Sequence, residues 1–374
     1  VFSGRIEWSL EPNEYSKLLD AKRKAGVRIV DLTESNPTRA GLVYPPEIIE
    51  TFAKPAALVY EPTPWGLAVA RNAVAGVEGV PADQVLMTAS TSESYSYLFK
   101  LLCDPGDRVL VPRPSYPLFE FLAKLESVRI DHYSLVYERG SRWCIDFDSI
   151  ERVRSDRHKA ILLVNPNNPT GSYVSNEEIA RLAELGLPVV SDEVFHAYPL
   201  EAERPVADWR PVSDKTLLFR LNGLSKQAGL PQMKAGWIVM DGPEGVLRTA
   251  RERLELIADT FLSVATPVQH ALPELLAHGE QVRQQISART KENLEWLRTV
   301  AKPLRTEAGW YALLPLEGSV EEYEVVLSLL EEDDVLVQPG FFYDFETEGW
   351  LVLSLLPPPG EFREGITRLL RRLN

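Results

Sequence analysis

The sequence predicts an α/β protein: a mostly parallel sheet covered by helices on both faces, with a smaller α+β part made from both chain ends. Three observations carry this. Between Gln84 and Met240, short apolar runs alternate with stretches of helical period. Most of the runs are short and largely apolar, as strands buried on both faces are. From Gly309 onward the alternation returns in a shorter form. The 374 residues suffice for a large domain, 45–265, and a small one, 1–44 with 266–374.

Taken in order, Tyr15 to Ala25 sets Leu18 and Leu19 among Lys and Asp and predicts a helix. Arg28 to Leu32 is a short strand, and Thr33 to Thr38 a turn-rich loop. Glu47 to Phe52 and Leu67 to Val77 predict helices, separated by the proline-dense loop Tyr60 to Gly66. In the central series, Gln84–Thr88, Arg108–Val111, Val128–Tyr133, Ala160–Val164, Pro188–Ser191, Thr216–Leu221 and Ala235–Met240 are strands. Ser92–Leu102, Pro117–Leu125 and Glu177–Glu184 are the helices between them. Apolar stripes make Gly245–Leu262 and Leu275–Val300 helices. Gly309–Leu316, Val335–Gln338 and Trp350–Leu355 are strands, and Glu321–Glu331 and Phe362–Leu373 helices.

A formal net charge of −14 argues against nucleic acid or an anionic membrane as the main partner. Cys103 and Cys144 cannot build a disulfide framework, which suits a reducing cytoplasm. The five histidines show no metal-ligand spacing, so no metal site is expected. Val1 to Leu10 has no apolar core of a signal peptide, and no run reaches the ~20 apolar residues of a membrane span.

In parallel sheets of this kind ligands bind beyond the carboxyl ends of the strands. Four stretches follow predicted strands. Asn222-Gly223-Leu224-Ser225-Lys226 sets a lysine among small residues between two strands. In a crowded, partly dry loop a lysine pKa falls, and the amine can form a Schiff base; a surface loop lysine is the plain alternative. Ser90-Thr91-Ser92 opens a helix, where free N–H groups suit a phosphate and where Ser and Thr are also ordinary caps. Asn165 to Gly171 is a rigid turn in which Asn168 can serve as a donor. Asp192 ends a buried strand and must be paired, with a pyridinium N–H or with an arginine.

The order Ser-Thr-Ser (90–92), Pro-Ser-Tyr-Pro (114–117), Asn-Pro-Asn-Asn-Pro-Thr-Gly (165–171), Asp-Glu-Val-Phe (192–195) and Leu-Ser-Lys-x-x-Gly-Leu-Pro (224–231) resembles the class I/II aminotransferases of the pyridoxal phosphate (PLP) fold type I, aspartate aminotransferase-like superfamily. The likeness runs from about Asp31 to Met240 and resumes from Gly309 to Pro359. It implies that Lys226 holds PLP as a Schiff base and moves the substrate proton. It implies that Asp192 partners the ring nitrogen, Asn168 the ring hydroxyl, and Tyr116 the ring face. Ser90, Thr91 and Ser92 match the phosphate loop, and Lys234 stands where the family has a phosphate-binding arginine. Tyr60 resembles the tyrosine that reaches the phosphate of a neighbouring subunit, so a homodimer with shared active sites is expected. Asn36 and Gly41 resemble the substrate-side loop, with Arg39 beside them.

The sequence departs from the family at other places. Phe195 replaces a tyrosine that donates to the ring hydroxyl, which should raise the Schiff-base pKa. Gly223 stands where a serine often touches the phosphate. Val352, in Trp350-Leu351-Val352-Leu353-Ser354, occupies the place of the arginine that grips a substrate α-carboxylate. Arg39, Arg113 and Arg220 are candidate replacements, with a surface or structural ion pair as the plain alternative for each. The resulting reading is a cytoplasmic PLP-dependent aminotransferase moving an amino group from an amino donor to a 2-oxo acid. One alternative is a PLP-dependent lyase, decarboxylase or transferase acting on an amine without an α-carboxylate. Another is a non-catalytic PLP-binding module.

Overall fold

The computed structural model describes residues 1–138, 142–201, 207–316 and 321–373. Its strands are β1 (Val30–Asp31), β2 (Val85–Thr88), β3 (Arg108–Arg113), β4 (Arg129–Tyr137), β5 (Trp143–Ile145), β6 (His158–Val164), β7 (Val189–Asp192), β8 (Leu218–Gly223), β9 (Gly236–Asp241), β10 (Tyr311–Pro315), β11 (Val335–Leu336), β12 (Gln338–Pro339) and β13 (Trp350–Ser354). The fold is α/β. Eight strands form one sheet in the order β2-β9-β8-β7-β6-β3-β4-β5. Its centre, from β8 to β4, is parallel, while β9, β2 and β5 join antiparallel. Strands β6, β7 and β8 are buried along most of their length, which is why they read as apolar runs, whereas β4 is buried only at Tyr133 and Ser134.

One face of this sheet packs Leu86, Val109, Leu162 and Phe219 against Tyr95, Leu98 and Phe99 of the helix Thr91–Leu102 and Leu254 of the helix Glu244–Asp259. Other cores join Leu110, Ile161 and Leu218 to Ile179 and Leu182 of the helix Asn176–Glu184, and Trp237 and Val239 to Ala70 and Val74 of the helix Ala68–Glu78. A three-stranded antiparallel sheet, β10-β13-β12, and the parallel pair β1-β11 lie with the helices Glu14–Lys24, Glu322–Glu332 and Pro359–Leu373 around a separate apolar cluster.

Three elements differ from the expectation. The helix expected from Leu275 begins at Thr266 and runs through Pro273 to Val300. A proline removes one backbone hydrogen bond without ending a helix whose faces are packed on both sides of it. Leu272 and Leu275 of this helix join the core of the large sheet, while Leu294 and Leu297 join the small-sheet core. The strand expected at 335–338 is two short pieces in two different sheets, with Val337 between them and its carbonyl accepting the Tyr15 hydroxyl at 2.6 Å. Residues 143–153, given no element above, form β5 and a helix, Phe147–Val153, capped by Asp146. Among the described residues no helix is long and apolar enough to cross a membrane.

Candidate active site

Strand β8 ends at Gly223, and one helical turn, Leu224–Gln227, lifts Lys226 above the sheet edge. The turn is tied down by Leu224 N–H to the Ala235 carbonyl (2.9 Å) and Leu230 N–H to the Leu224 carbonyl (3.0 Å). The Tyr198 hydroxyl, from the segment after β7, donates to the Lys226 carbonyl. Gly223 is extended, and its backbone lies so close to β9 that a Cβ there would sit 2.9 Å from the Ala235 oxygen. The missing serine at 223 thus has a packing reason in this chain. The Lys226 amine faces the rings of Trp310 (5.0 Å) and Phe195 (5.7 Å). Burial pushes its pKa below the ordinary lysine value, and the Asp192 carboxylate draws it part of the way back.

Asp192 is the last residue of β7. Its Oδ1 accepts the Val194 N–H at 3.2 Å and its Oδ2 the Tyr95 hydroxyl at 3.0 Å. Burial raises its pKa to about 6, against the pull of these two donors and of Lys226. Tyr95 belongs to the helix Thr91–Leu102, whose N-cap is Ser90. The Ser90 hydroxyl accepts the Glu93 N–H at 3.3 Å, and a Glu93 oxygen accepts the Ala89 N–H at 2.6 Å. Asn168 follows β6, in a turn closed by Gly171 N–H to the Asn167 carbonyl at 2.8 Å. Asn168 is buried, and its Oδ1 has no hydrogen-bond partner.

These groups meet in one cavity of about 270 Å³ at the carboxyl ends of β6, β7 and β8. Lys226, Asp192, Asn168, Tyr116, Ser90, Thr91, Ser92 and Lys234 all line it, as do Phe195 and Gly223. Lys234 is exposed, has left-handed backbone (φ 50°) and makes no ion pair among the described residues. Burial and the nearby Asp192 charge raise the Tyr116 pKa.

Four residues singled out on the substrate and subunit side do not line this cavity. Tyr60 is 76% exposed. Asn36 turns its Oδ1 to the Thr38 N–H (3.0 Å) and hydroxyl (2.8 Å). Gly41 has φ +67° beside Pro358, and Arg39 is exposed. Arg113 pairs with Glu346 at 2.6 Å, and Arg220 lies between Glu193 (3.4 Å) and Glu78 (3.5 Å). Val352 is fully buried, paired across the sheet with Leu313 and Gln338 and packed in a cluster with Trp310, Tyr311 and Tyr343. Among the described residues, no arginine lines the cavity. Sequence reasoning passed over Ser35, Tyr95, Ser225 and Tyr311, which do line it. Ser225 had a signal, its place beside Lys226; the others read as turn or core.

This set fits pyridoxal phosphate. An amine of lowered pKa can take an aldehyde, and a buried carboxylate can take a ring N–H. The Asn168 amide oxygen has no partner, an aromatic ring stands at the wall, and hydroxyls at a helix N-terminus lie with a lysine for a dianion. Fold and site together define a PLP-dependent enzyme of fold type I. The chain belongs to the aminotransferase class I and II family, whose model matches residues 27–369, and it is a PLP-dependent aminotransferase. It is 27% identical to nicotianamine aminotransferase A of Hordeum vulgare, over 81% of this chain and 70% of that protein. It is 27% identical to the glutamate-pyruvate aminotransferase AlaA of Haemophilus influenzae, over 93% and 91%. The fold is similar to that of an alanine aminotransferase from Pyrococcus furiosus, with TM-score 0.88 and 24% identity over 100% of this chain and 99% of that one.

Proposed function

We propose that the chain transfers an amino group from an amino donor to a 2-oxo acid, with Lys226 as the attachment point of the cofactor through a Schiff base at Nζ. The observation that carries this is the enclosed Lys226 amine beside the buried Asp192 carboxylate in one cavity. PLP, when bound, supplies an aldehyde that exchanges amines and a ring that delocalises the charge left at the substrate carbon. In this reading Asp192 keeps the ring nitrogen protonated, and Asn168 hydrogen-bonds the ring hydroxyl. Tyr116 covers the ring face, and Ser90, Thr91, Ser92 and Lys234 hold the phosphate. Lys226, once released, accepts the substrate proton at Nζ; burial lowers its pKa, which favours the free amine that can act as a base.

The reading divides the chain into a PLP-binding domain, 45–265, and a small domain from 1–44 and 266–374. It makes the protein a homodimer in which Tyr60 serves the partner's site. The exposed run Leu58-Val59-Tyr60, with Val43 and Ile49, supports that. It places the protein in the cytoplasm, in keeping with two cysteines that stay unpaired. Asn36, Gly41 and Arg39 belong to the substrate side. With Val352 buried, a different group must meet any substrate carboxylate. The relatives named above are aminotransferases, which favours transamination over a lyase or a non-catalytic module.

The test is a half-reaction. The protein purified with PLP, beside Lys226→Ala, is scanned for a visible band and then given α-amino acids and amines lacking the carboxylate. Conversion of a lysine-dependent band by an α-amino acid is the expected result. A wild type without such a band would sink the assignment of Lys226.

A further inference from the structure

We propose that Tyr95 is a positioning residue for Asp192: its hydroxyl donates to Oδ2 and keeps that carboxylate fixed and charged beside the cofactor ring. This rests on the reading that Asp192 serves the ring nitrogen.

The helix Thr91–Leu102 turns Tyr95, Leu98 and Phe99 into the sheet core, where a phenylalanine at 95 would pack as well. A phenol is 3% exposed there instead. A buried hydroxyl needs a partner, and the hydrogen bond described for this one goes to Asp192, 97 residues away. An ionised carboxylate only accepts, so the phenol donates. Burial and the Asp192 charge raise the Tyr95 pKa far above its usual value, so it remains a neutral donor. Its ring is held edge-on by Phe119 at 5.2 Å, which fixes where the hydroxyl points.

The consequence is electrostatic. The groups facing Asp192 are Tyr95, Tyr116 and Lys226 from neighbouring elements and the Val194 N–H from the turn that follows β7. Of these, Tyr95, Lys226 and Val194 favour the charged carboxylate against its burial. A protonated Asp192 no longer favours a protonated ring nitrogen. The same helix presents Ser90–Ser92 to the cavity, so a single rigid element sets both the phosphate end and the Asp192 partner.

The test compares apoprotein affinity for PLP with that for its 1-deaza analogue, in which the ring nitrogen is replaced by C–H. Wild type, Tyr95→Phe, Asp192→Asn and the double variant are titrated by tryptophan fluorescence. Tyr95→Phe should weaken PLP binding about tenfold or more, as loss of a hydrogen bond to a charged acceptor does. It should leave the analogue within about twofold, and it should add about twofold or less in the Asp192→Asn background. Analogue binding also reports that the cavity is intact. Equal weakening of both ligands, or of neither, overturns the proposal. If Asp192→Asn fails to separate the two ligands, the Asp192 assignment itself falls. If Asp192→Asn separates them and Tyr95→Phe does not, only the role of Tyr95 falls.

Discussion

Replacing Asp192 by Asn should make the cofactor-free protein more stable while it destroys tight cofactor binding. Asp192 is 8% exposed, and burial moves its pKa from 3.8 to about 6. An acid whose folded pKa is raised binds more protons folded than unfolded between those values, so stability falls as pH rises through that window. By neutral pH the ionised carboxylate has cost the fold roughly 3 kcal/mol, which Asn does not incur. Spread over the chain's melting entropy, this is a rise of about 4 °C for a single cooperative transition. At pH 5 the folded carboxyl is mostly protonated, and the gain should shrink to about half. Glu193, pushed to about 7 by its own burial, is present in both proteins and cancels in the difference. The assay is thermal unfolding of both apoproteins at pH 5 and pH 8, with PLP affinity measured alongside. A variant no more stable than wild type at pH 8, or one whose gain is the same at pH 5, would refute the argument.

Other substitutions test the remaining assignments. Lys226→Ala should abolish the visible band and slow the half-reaction by at least about a thousandfold, read by stopped-flow absorbance. Lys234→Gln should weaken PLP by roughly three- to tenfold, with a loss that shrinks in high salt; an unchanged affinity would remove Lys234 from the phosphate site. Gly223→Ser should destabilise by about 1–3 kcal/mol in urea titration, because its Cβ meets the Ala235 oxygen at 2.9 Å. Leu58→Asp should make any dimer dissociate at higher concentration in sedimentation, and a monomeric wild type would remove Tyr60 from the partner's site.

The alternation of apolar runs and helical stretches made the central sheet legible, because β6, β7 and β8 are buried on both faces and leave little polar alternation to misread. The short elements at 143–153 were not legible. A three-residue strand and a helix of seven residues carry little periodicity, and they are held by contacts such as Glu178 to the Ile145 N–H at 2.7 Å. Pro273 masked the first turns of a helix that packing carries through it. The split of β11 from β12 was hidden for a related reason. A largely buried run of four residues has one composition whether it serves one sheet or two.

By itself the sequence determined the fold class and named the loops that hold Lys226, Asp192, Asn168 and Ser90–Ser92. Each follows a buried strand and carries residue types that chemistry restricts. Only the tertiary structure decided which further side chains reach the cavity. Tyr95 reads as core on its own helix and becomes a partner of Asp192 because that helix packs over the ends of strands far away in sequence. Arg113 and Arg220 are open between a substrate carboxylate and an ion pair in the sequence, and packing pairs them with Glu346, Glu193 and Glu78. Local pattern records what a segment buries; the direction of one polar atom depends on the packing of segments the pattern does not connect.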